Sequence, residues 1–180
     1  SNGLGDVEEI FDPGNHTGPS QWLDDSRRLV VTVFGESLHI RLLDLVDSAN
    51  TVSLSATGKS YLSGQVSSDG RFVAYVSNES GQVEVYVREL SETGGKWQVS
   101  SSGGREPRWR SDGGEIFFRK SPDEFYAVTV RNDQGYFEAE LPQLLFKRRI
   151  ATGVPMQYRW DVSADGRRVL INEPSEESAE

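Results

Sequence analysis

Short apolar segments rich in β-branched and aromatic residues alternate with turn residues along most of the chain. The clearest are Phe72-Val73-Ala74-Tyr75-Val76, Ile116-Phe117-Phe118 and Val169-Leu170-Ile171. Segments of this length, bounded by Gly, Asn, Asp, Ser and Pro, are typical of β-strands. No stretch keeps a helical period, and even Glu138 to Arg149 is interrupted by Pro142. The pattern predicts an essentially all-β chain.

Each of these apolar segments follows an Asp-Gly turn, and the turns recur at a nearly constant spacing. The aspartates are 44, 43 and 53 positions apart, and a second apolar segment follows each of the first three about 20 residues later. Two features that recur in register indicate an internal repeat of about 44 residues. The first copy is degenerate, with Ser26 in place of glycine. The repeated turn residues are Asp25, Asp69, Gly70, Asp112, Gly113, Asp165 and Gly166.

The turn residues are best explained by a structural role in hairpins. Glycine adopts positive φ without steric cost, and aspartate accepts hydrogen bonds from its own turn. One aspartate per repeat would lie on one rim, a repeat's width from the next, which is too far apart for paired acid–base catalysis. We therefore predict structural hairpins and no catalytic residue.

Four antiparallel strands repeated every 40–45 residues are the unit of a β-propeller, whose blades stack radially around a channel. The sequence predicts about three complete blades with partial blades at both ends. Residues 1–19 form a tail with the outer strand of a preceding blade, in the segment 7–11. Blade 1 spans 20–59, blade 2 spans 60–104 and blade 3 spans 105–153. Residues 154–180 form a partial closing blade and an acidic tail.

Two copies of the repeat carry a recognisable pattern, Ser67-Ser68-Asp69-Gly70-Arg71 and Ser163-Ala164-Asp165-Gly166-Arg167. Together with Val85-Tyr86-Val87, they resemble the WD40-like repeats of TolB-type propellers, over about residues 20–172. That resemblance implies a bacterial binding or sensing module, with the periplasm as the favoured compartment. The end of the chain is similar to the closing blade of the propellers attached to bacterial eukaryotic-like Ser/Thr kinases and winged-helix regulators.

The number of repeats raises a question about the ring. TolB-type rings generally have six blades, whereas 180 residues hold about four repeats. The chain is either a natural four-bladed ring or, as we favour, a segment of a longer protein. Open blade edges and apolar blade faces promote association. We therefore expect the chain to self-associate, with two copies completing a ring-like assembly.

Composition narrows the possible ligands. The 19 Lys+Arg against 28 Asp+Glu give a formal charge of −9, which argues against nucleic-acid binding. No apolar segment approaches the roughly 18 residues of a membrane-spanning helix, so we expect no membrane insertion. With no Cys and two His, the sequence predicts neither a metal site nor a cofactor. The basic clusters are interpreted as solvated surface, and they comprise Arg105, Arg108 and Arg110 together with Lys147, Arg148 and Arg149.

These observations leave two principal function classes. The first is a non-enzymatic propeller that binds a protein or a small ligand through its loop rim or its channel. The second is the propeller of a prolyl-oligopeptidase-type peptidase, which gates a hydrolase domain outside this chain, since no Gly-x-Ser-x-Gly elbow is present. A sialidase-like or lyase-like enzyme would have to use Arg105, Arg108 and Arg110. Trp22 and Trp109 occupy equivalent positions, which predicts repeated core packing, whereas Trp97 and Trp160 lie outside that register and are candidates for the surface.

Overall fold

The protein is described from a computed structural model, which covers residues 14, 16–23, 27–47, 51–54, 58–91, 94–120, 123–132, 136–150 and 159–173. Within these ranges the chain forms fifteen strands in antiparallel sheets and no helix. No helix long and apolar enough to cross a membrane is therefore found in the described residues. The predicted all-β fold class is confirmed.

The strands form four sheets, which we call blades 1 to 4. Blade 1 contains β1 (Thr17–Trp22), β2 (Arg28–Val33), β3 (His39–Asp44) and β4 (Val52–Leu54). Blade 2 contains β5 (Tyr61–Val66), β6 (Phe72–Ser77), β7 (Glu84–Glu89) and β8 (Lys96–Gln98). Blade 3 contains β9 (Arg105–Trp109), β10 (Glu115–Arg119), β11 (Glu124–Arg131), β12 (Glu138–Ala139) and β13 (Gln143–Lys147). Blade 4 contains β14 (Trp160–Val162) and β15 (Val169–Ile171).

Two details differ from the division expected from the sequence. Blade 1 begins at Thr17, because residues 17–19 pair with residues 31–33 of β2 rather than belonging to a separate tail. The outer strand of blade 3 is split in two: β12 pairs with the end of β11 at Val130 and Arg131, and β13 pairs with its beginning. The outer strand predicted in residues 7–11 lies outside the described residues.

Stacking of the blades buries both faces of their central strands. All six residues of β6 are buried. Phe72, Ala74 and Val76 pack into the core shared with blade 3, whereas Val73 and Tyr75 pack into the core shared with blade 1. An alternation that sends neighbouring side chains into two different cores explains why the sequence of this strand is continuously apolar.

The same arrangement recurs at the next interface. In β10, Ile116 and Phe118 join the core between blades 2 and 3, while Phe117 packs with Phe125 and Trp160 between blades 3 and 4. In blades 2 and 3 the innermost strand lies against the preceding blade, because β5 contacts β1, β2 and β3, and β9 contacts β5, β6 and β7. The result is part of a propeller, with the inner strands side by side.

Candidate functional site

The repeated Asp-Gly residues form the hairpin between the first two strands of a blade. In blade 2 the Ser67 hydroxyl donates to Asp69 Oδ1 at 2.5 Å, and the Arg71 amide donates to the same oxygen at 3.1 Å. The Phe72 amide donates to Ser67 Oγ at 3.0 Å. Gly70 has a φ of 73° and its amide donates to the Ser67 carbonyl. The carboxylate is thus occupied by bonds within its own turn.

Blade 4 repeats this network at the turn around Asp165. The Ser163 hydroxyl and the Arg167 amide donate to Asp165 Oδ1 at 2.6 and 3.0 Å, and these two bonds hold the pKa of that carboxyl below its usual range. Gly166 has a φ of 72°. A Cβ at this glycine would lie 3.0 Å from Arg110 Cδ and 3.1 Å from Phe117 Cζ, so the turn also packs closely on blade 3.

Blade 3 forms the same turn with an arginine in the serine position. Arg110 Nε donates to Asp112 Oδ1 at 2.6 Å and the Gly114 amide donates to it at 2.9 Å, which together lower the Asp112 pKa. Gly113 has a φ of 73°. The side chain of Arg110 also pairs with Glu115. Asp25, the fourth predicted turn residue, lies outside the described residues.

The innermost strands share a second repeated feature, a break in strand pairing that the sequence did not predict. The pairing register shifts within β1, β5 and β9. Ser63 and Glu106, each six residues before the repeat aspartate, have φ values of 54° and 53°. Positive φ is uncommon outside glycine, and bulges of this kind bend a strand and redirect its side chains. Arg119 holds Glu106 with two hydrogen bonds, of 2.6 and 3.1 Å.

Each innermost strand also carries a polar residue four positions before the repeat aspartate. These equivalent residues are Gln21, Gln65, Arg108 and Asp161. We call them the inner polar row. Each member of the inner polar row directly precedes an apolar residue in the sequence, and these are Trp22, Val66, Trp109 and Val162. The role of the row was missed because the neighbouring inner strands touch only in the folded protein.

Gln21 links blade 1 to blade 2. Its side-chain Nε2 donates to the Val66 carbonyl at 3.1 Å, and the Val66 amide donates to Gln21 Oε1 at 2.6 Å. An innermost strand has a sheet neighbour on one side only, so its other edge presents backbone groups that need partners. The carboxamide supplies a donor and an acceptor to one residue, as a neighbouring strand would. In the opposite direction, from blade 2 to blade 1, Gln65 Nε2 donates a longer hydrogen bond to the Ser20 carbonyl at 3.3 Å.

Arg108 links blade 3 to blade 4. Its guanidinium donates to the carbonyls of Pro107 at 2.8 Å and Trp160 at 3.3 Å, and its Nε lies 3.3 Å from Asp161 Oδ1. It also lies 5.5 Å from the centre of the Trp160 ring. The Arg108 side chain is 8% exposed whereas that of Asp161 is 69% exposed. The prediction that Arg108 belongs to a solvated cluster is therefore wrong, because these partners stabilise the buried charge.

A cavity of about 440 Å³ opens beside the inner polar row. It touches the innermost strands of all four blades. Its wall combines amide, guanidinium and carboxylate groups with the apolar side chains of blade 4. Its lining residues include Gln65, Arg108, Arg159, Asp161, Leu170 and Asn172.

The chemistry available in this cavity is hydrogen bonding and charge pairing. Asp161 presents an exposed carboxylate, and Asn172 presents an exposed carboxamide next to the exposed Leu170. The two histidines are elsewhere: His16 precedes β1, and His39 begins β3. Among the described residues, no three His, Cys, Asp or Glu side chains are grouped as metal ligands.

The tryptophans do not follow the expected pattern. Trp109 packs beside the core between blades 2 and 3, and its indole N–H donates to the Gln65 carbonyl at 2.9 Å. Trp22, in the equivalent position, is 54% exposed, so its predicted core packing is wrong. This position faces the preceding blade, and no sheet of the described residues packs there. Trp160, a predicted surface candidate, is instead buried between blades 3 and 4, and Trp97 is partly buried.

Three solved structures that are similar to this chain are propellers. A protein assigned as TolB from Agrobacterium tumefaciens is 17% identical with a TM-score of 0.54, and the match covers 73% of this chain and 50% of that one. TolB from Acinetobacter baumannii is 15% identical with a TM-score of 0.57, covering 91% and 39%. The fold is that of a TolB-type propeller. The resemblance identified in the sequence is confirmed at this level.

A third similar structure carries a different assignment. A protein assigned as a 6-phosphogluconolactonase from Bacteroides fragilis is 15% identical with a TM-score of 0.53, and the match covers 87% of this chain and 47% of that one. No family model matches the chain, and no curated protein matches it. The chain spans half or less of the length of these three proteins. Since all three are less than 20% identical, the likeness extends to the fold alone.

Proposed function

We propose that this chain is a non-enzymatic binding module that takes a protein segment or a small ligand into the cavity beside the inner polar row. The observation that carries the proposal is that this cavity meets the inner strands of all four blades. Ligand sites are typically concave and preformed, and they commonly lie where several rigid elements meet. Its exposed groups suit hydrogen bonding to peptide-like or polar molecules.

The rigidity of the cavity wall supports binding. Arg108 contacts two backbone carbonyls and one carboxylate, and therefore keeps one orientation. The Gln65 side chain is likewise bonded to the Ser20 carbonyl. Groups that are already fixed lose little conformational entropy when a ligand arrives. Asp161 and Asn172 remain exposed to contact it.

The proposal can be tested by selecting short random peptides on the immobilised chain and measuring their affinity by calorimetry. We expect Asn172→Ala and Leu170→Ala to weaken the selected peptides about tenfold or more, because both side chains line the cavity. Val46→Ala after β3 is the matched control, since it removes an exposed apolar side chain outside the cavity. Peptides that bind all variants equally would contradict the proposed site.

The non-enzymatic part of the proposal has its own test. The chain is incubated with 6-phosphogluconolactone, the substrate class suggested by the third similar structure, and with a proline-containing peptide ester. We expect no hydrolysis above that of heat-denatured protein. Hydrolysis of either substrate that is lost in Asn172→Ala would overturn the non-enzymatic assignment.

A further inference from the structure

The outer edge of blade 3 presents an unusual amount of exposed apolar surface. Leu141 is 85% exposed, and Leu144 and Leu145 are each 47% exposed. These three leucines lie within five residues of one another. Exposed apolar side chains grouped on a strand edge mark an interaction surface more often than isolated ones do.

The backbone of this edge is available for pairing. β13 pairs with β11 on one side, through residues 143–147, and no described strand pairs with its other side. Residues 138–147 run along the outer side of β11, as β12, a connection containing Pro142, and β13. An edge strand presents unpaired N–H and C=O groups, which can bind another extended segment. Pro142 and the register shift near Leu145 limit the contact to a few residues.

Charge along the edge is asymmetric in a way that suits a second copy of itself. The segment begins with the acidic residues Glu138 and Glu140 and ends with the basic residues Lys147, Arg148 and Arg149. In an antiparallel, two-fold symmetric pair, the acidic end of each copy meets the basic end of the other. The leucines then meet near the centre. Side chains directly opposite on paired strands interact, and unlike charges favour the pair.

The charged residues of this edge already form ion pairs within their own chain, but those pairs do not prevent them from pairing with a second copy. Glu140 pairs with Arg131, whose side chain is 66% exposed, and Lys147 pairs with Glu124. Exposed ion pairs contribute little to stability, so their charged groups can reorient towards a partner. Arg149 is exposed as well.

We propose that two copies of this chain associate through antiparallel pairing of their blade 3 edges, with Leu144 and Leu145 at the centre and Glu140 facing the partner's Arg149. The sequence led us to expect self-association through open blade edges and apolar blade faces in a ring-like assembly, and the contact proposed here specifies one edge, the outer edge of blade 3. It is independent of ligand binding in the cavity.

Sedimentation velocity over a concentration series tests the proposal on the chain as it stands. The mass is expected to rise from 20.0 kDa towards twice that value. Leu144→Lys should raise the midpoint concentration about tenfold or more, since a charge at the centre of a symmetric contact acts twice. Trp22→Ala, on the exposed face of blade 1, is the control and should leave the midpoint unchanged.

A charge exchange tests the pairing itself. Glu140→Lys and Arg149→Glu should each weaken self-association, because each places like charges opposite each other twice. Mixing the two variants should restore association, because both contacts are then attractive. A monomer at every concentration, no restoration in the mixture, or dissociation caused by Trp22→Ala but not by Leu144→Lys would each overturn the proposal. Circular dichroism confirms that every variant remains folded.

Discussion

Removal of the Gln21 side chain is the sharpest test of how the inner strands are held together. In Gln21→Ala the Val66 amide and carbonyl both lose their partners, from bonds of 2.6 and 3.1 Å. Each hydrogen bond contributes about 0.5–1.5 kcal/mol net, so the expected loss of stability is about 1–3 kcal/mol. That is a large share of the roughly 5–15 kcal/mol that stabilises an ordinary domain.

Two measurements check this loss. Urea unfolding gives the change in free energy of unfolding, and hydrogen exchange of the Val66 amide reports the broken contact directly. A loss of about 1.4 kcal/mol speeds exchange through local opening roughly tenfold. Gln65→Ala is the matched control, because that side chain makes a single longer bond to the Ser20 carbonyl at 3.3 Å. We expect its effect to be smaller than that of Gln21→Ala.

If Gln21→Ala unfolds within about 0.3 kcal/mol of the wild type, and Val66 exchange is unchanged, the carboxamide does not substitute for a neighbouring strand. An equal loss in Gln65→Ala would also contradict the account, because the number and length of the bonds would then not determine the effect.

Three further predictions follow from other parts of the fold. In urea unfolding, Gly166→Ala should lower the free energy of unfolding by about 1 kcal/mol more than Gly58→Ala does. The two φ values, 72° and 69°, are similar, but only Gly166 has side chains within 4 Å of an added methyl group. Equal losses would show that the positive φ accounts for the whole effect. Phe118→Ala should lower the free energy of unfolding by about 3–5 kcal/mol, whereas Leu170→Ala on the surface should change it by less than about 0.5 kcal/mol; similar losses would contradict the packing between blades. Burial raises the pKa of Tyr75 above that of the unfolded chain. Its stabilising contribution is therefore complete below about pH 10 and is lost as the pH rises above that value, so above about pH 10 the stability of Tyr75→Phe should decline less steeply than that of the wild type; parallel curves would show that another group controls the alkaline limb.

Local sequence was sufficient for the features that depend on a few adjacent residues. A hairpin needs a residue that tolerates positive φ, and Gly70, Gly113 and Gly166 adopt φ values of 72–73° in the repeated turns. The strand after each turn must be apolar on both faces because blades stack on both sides. These requirements recur with every blade, so their period predicted a β-propeller, while the resemblance to the TolB type came from the motif at Ser67 to Arg71 and Ser163 to Arg167.

Equivalent positions nevertheless acquired different roles in the folded chain. Trp22 and Trp109 occupy the same place in the repeat, yet the first is exposed and the second packs beside the core. Arg108 and Arg110 are two positions apart in one basic cluster, but one is buried between blades and the other supports a turn. Such differences depend on which neighbouring blade each side chain meets, and that neighbour is many residues away in sequence.

The sequence alone therefore determined the repeat, the turns and the fold class, because each is set by local backbone preference and by the alternation of apolar residues. The tertiary structure decided the inner polar row, the cavity beside it and the exposed edge of blade 3. Gln21 hydrogen-bonds to the Val66 backbone 45 positions away in sequence, and Arg108 donates to the Trp160 carbonyl 52 positions away. Only the stacking of blades brings these groups within hydrogen-bonding distance.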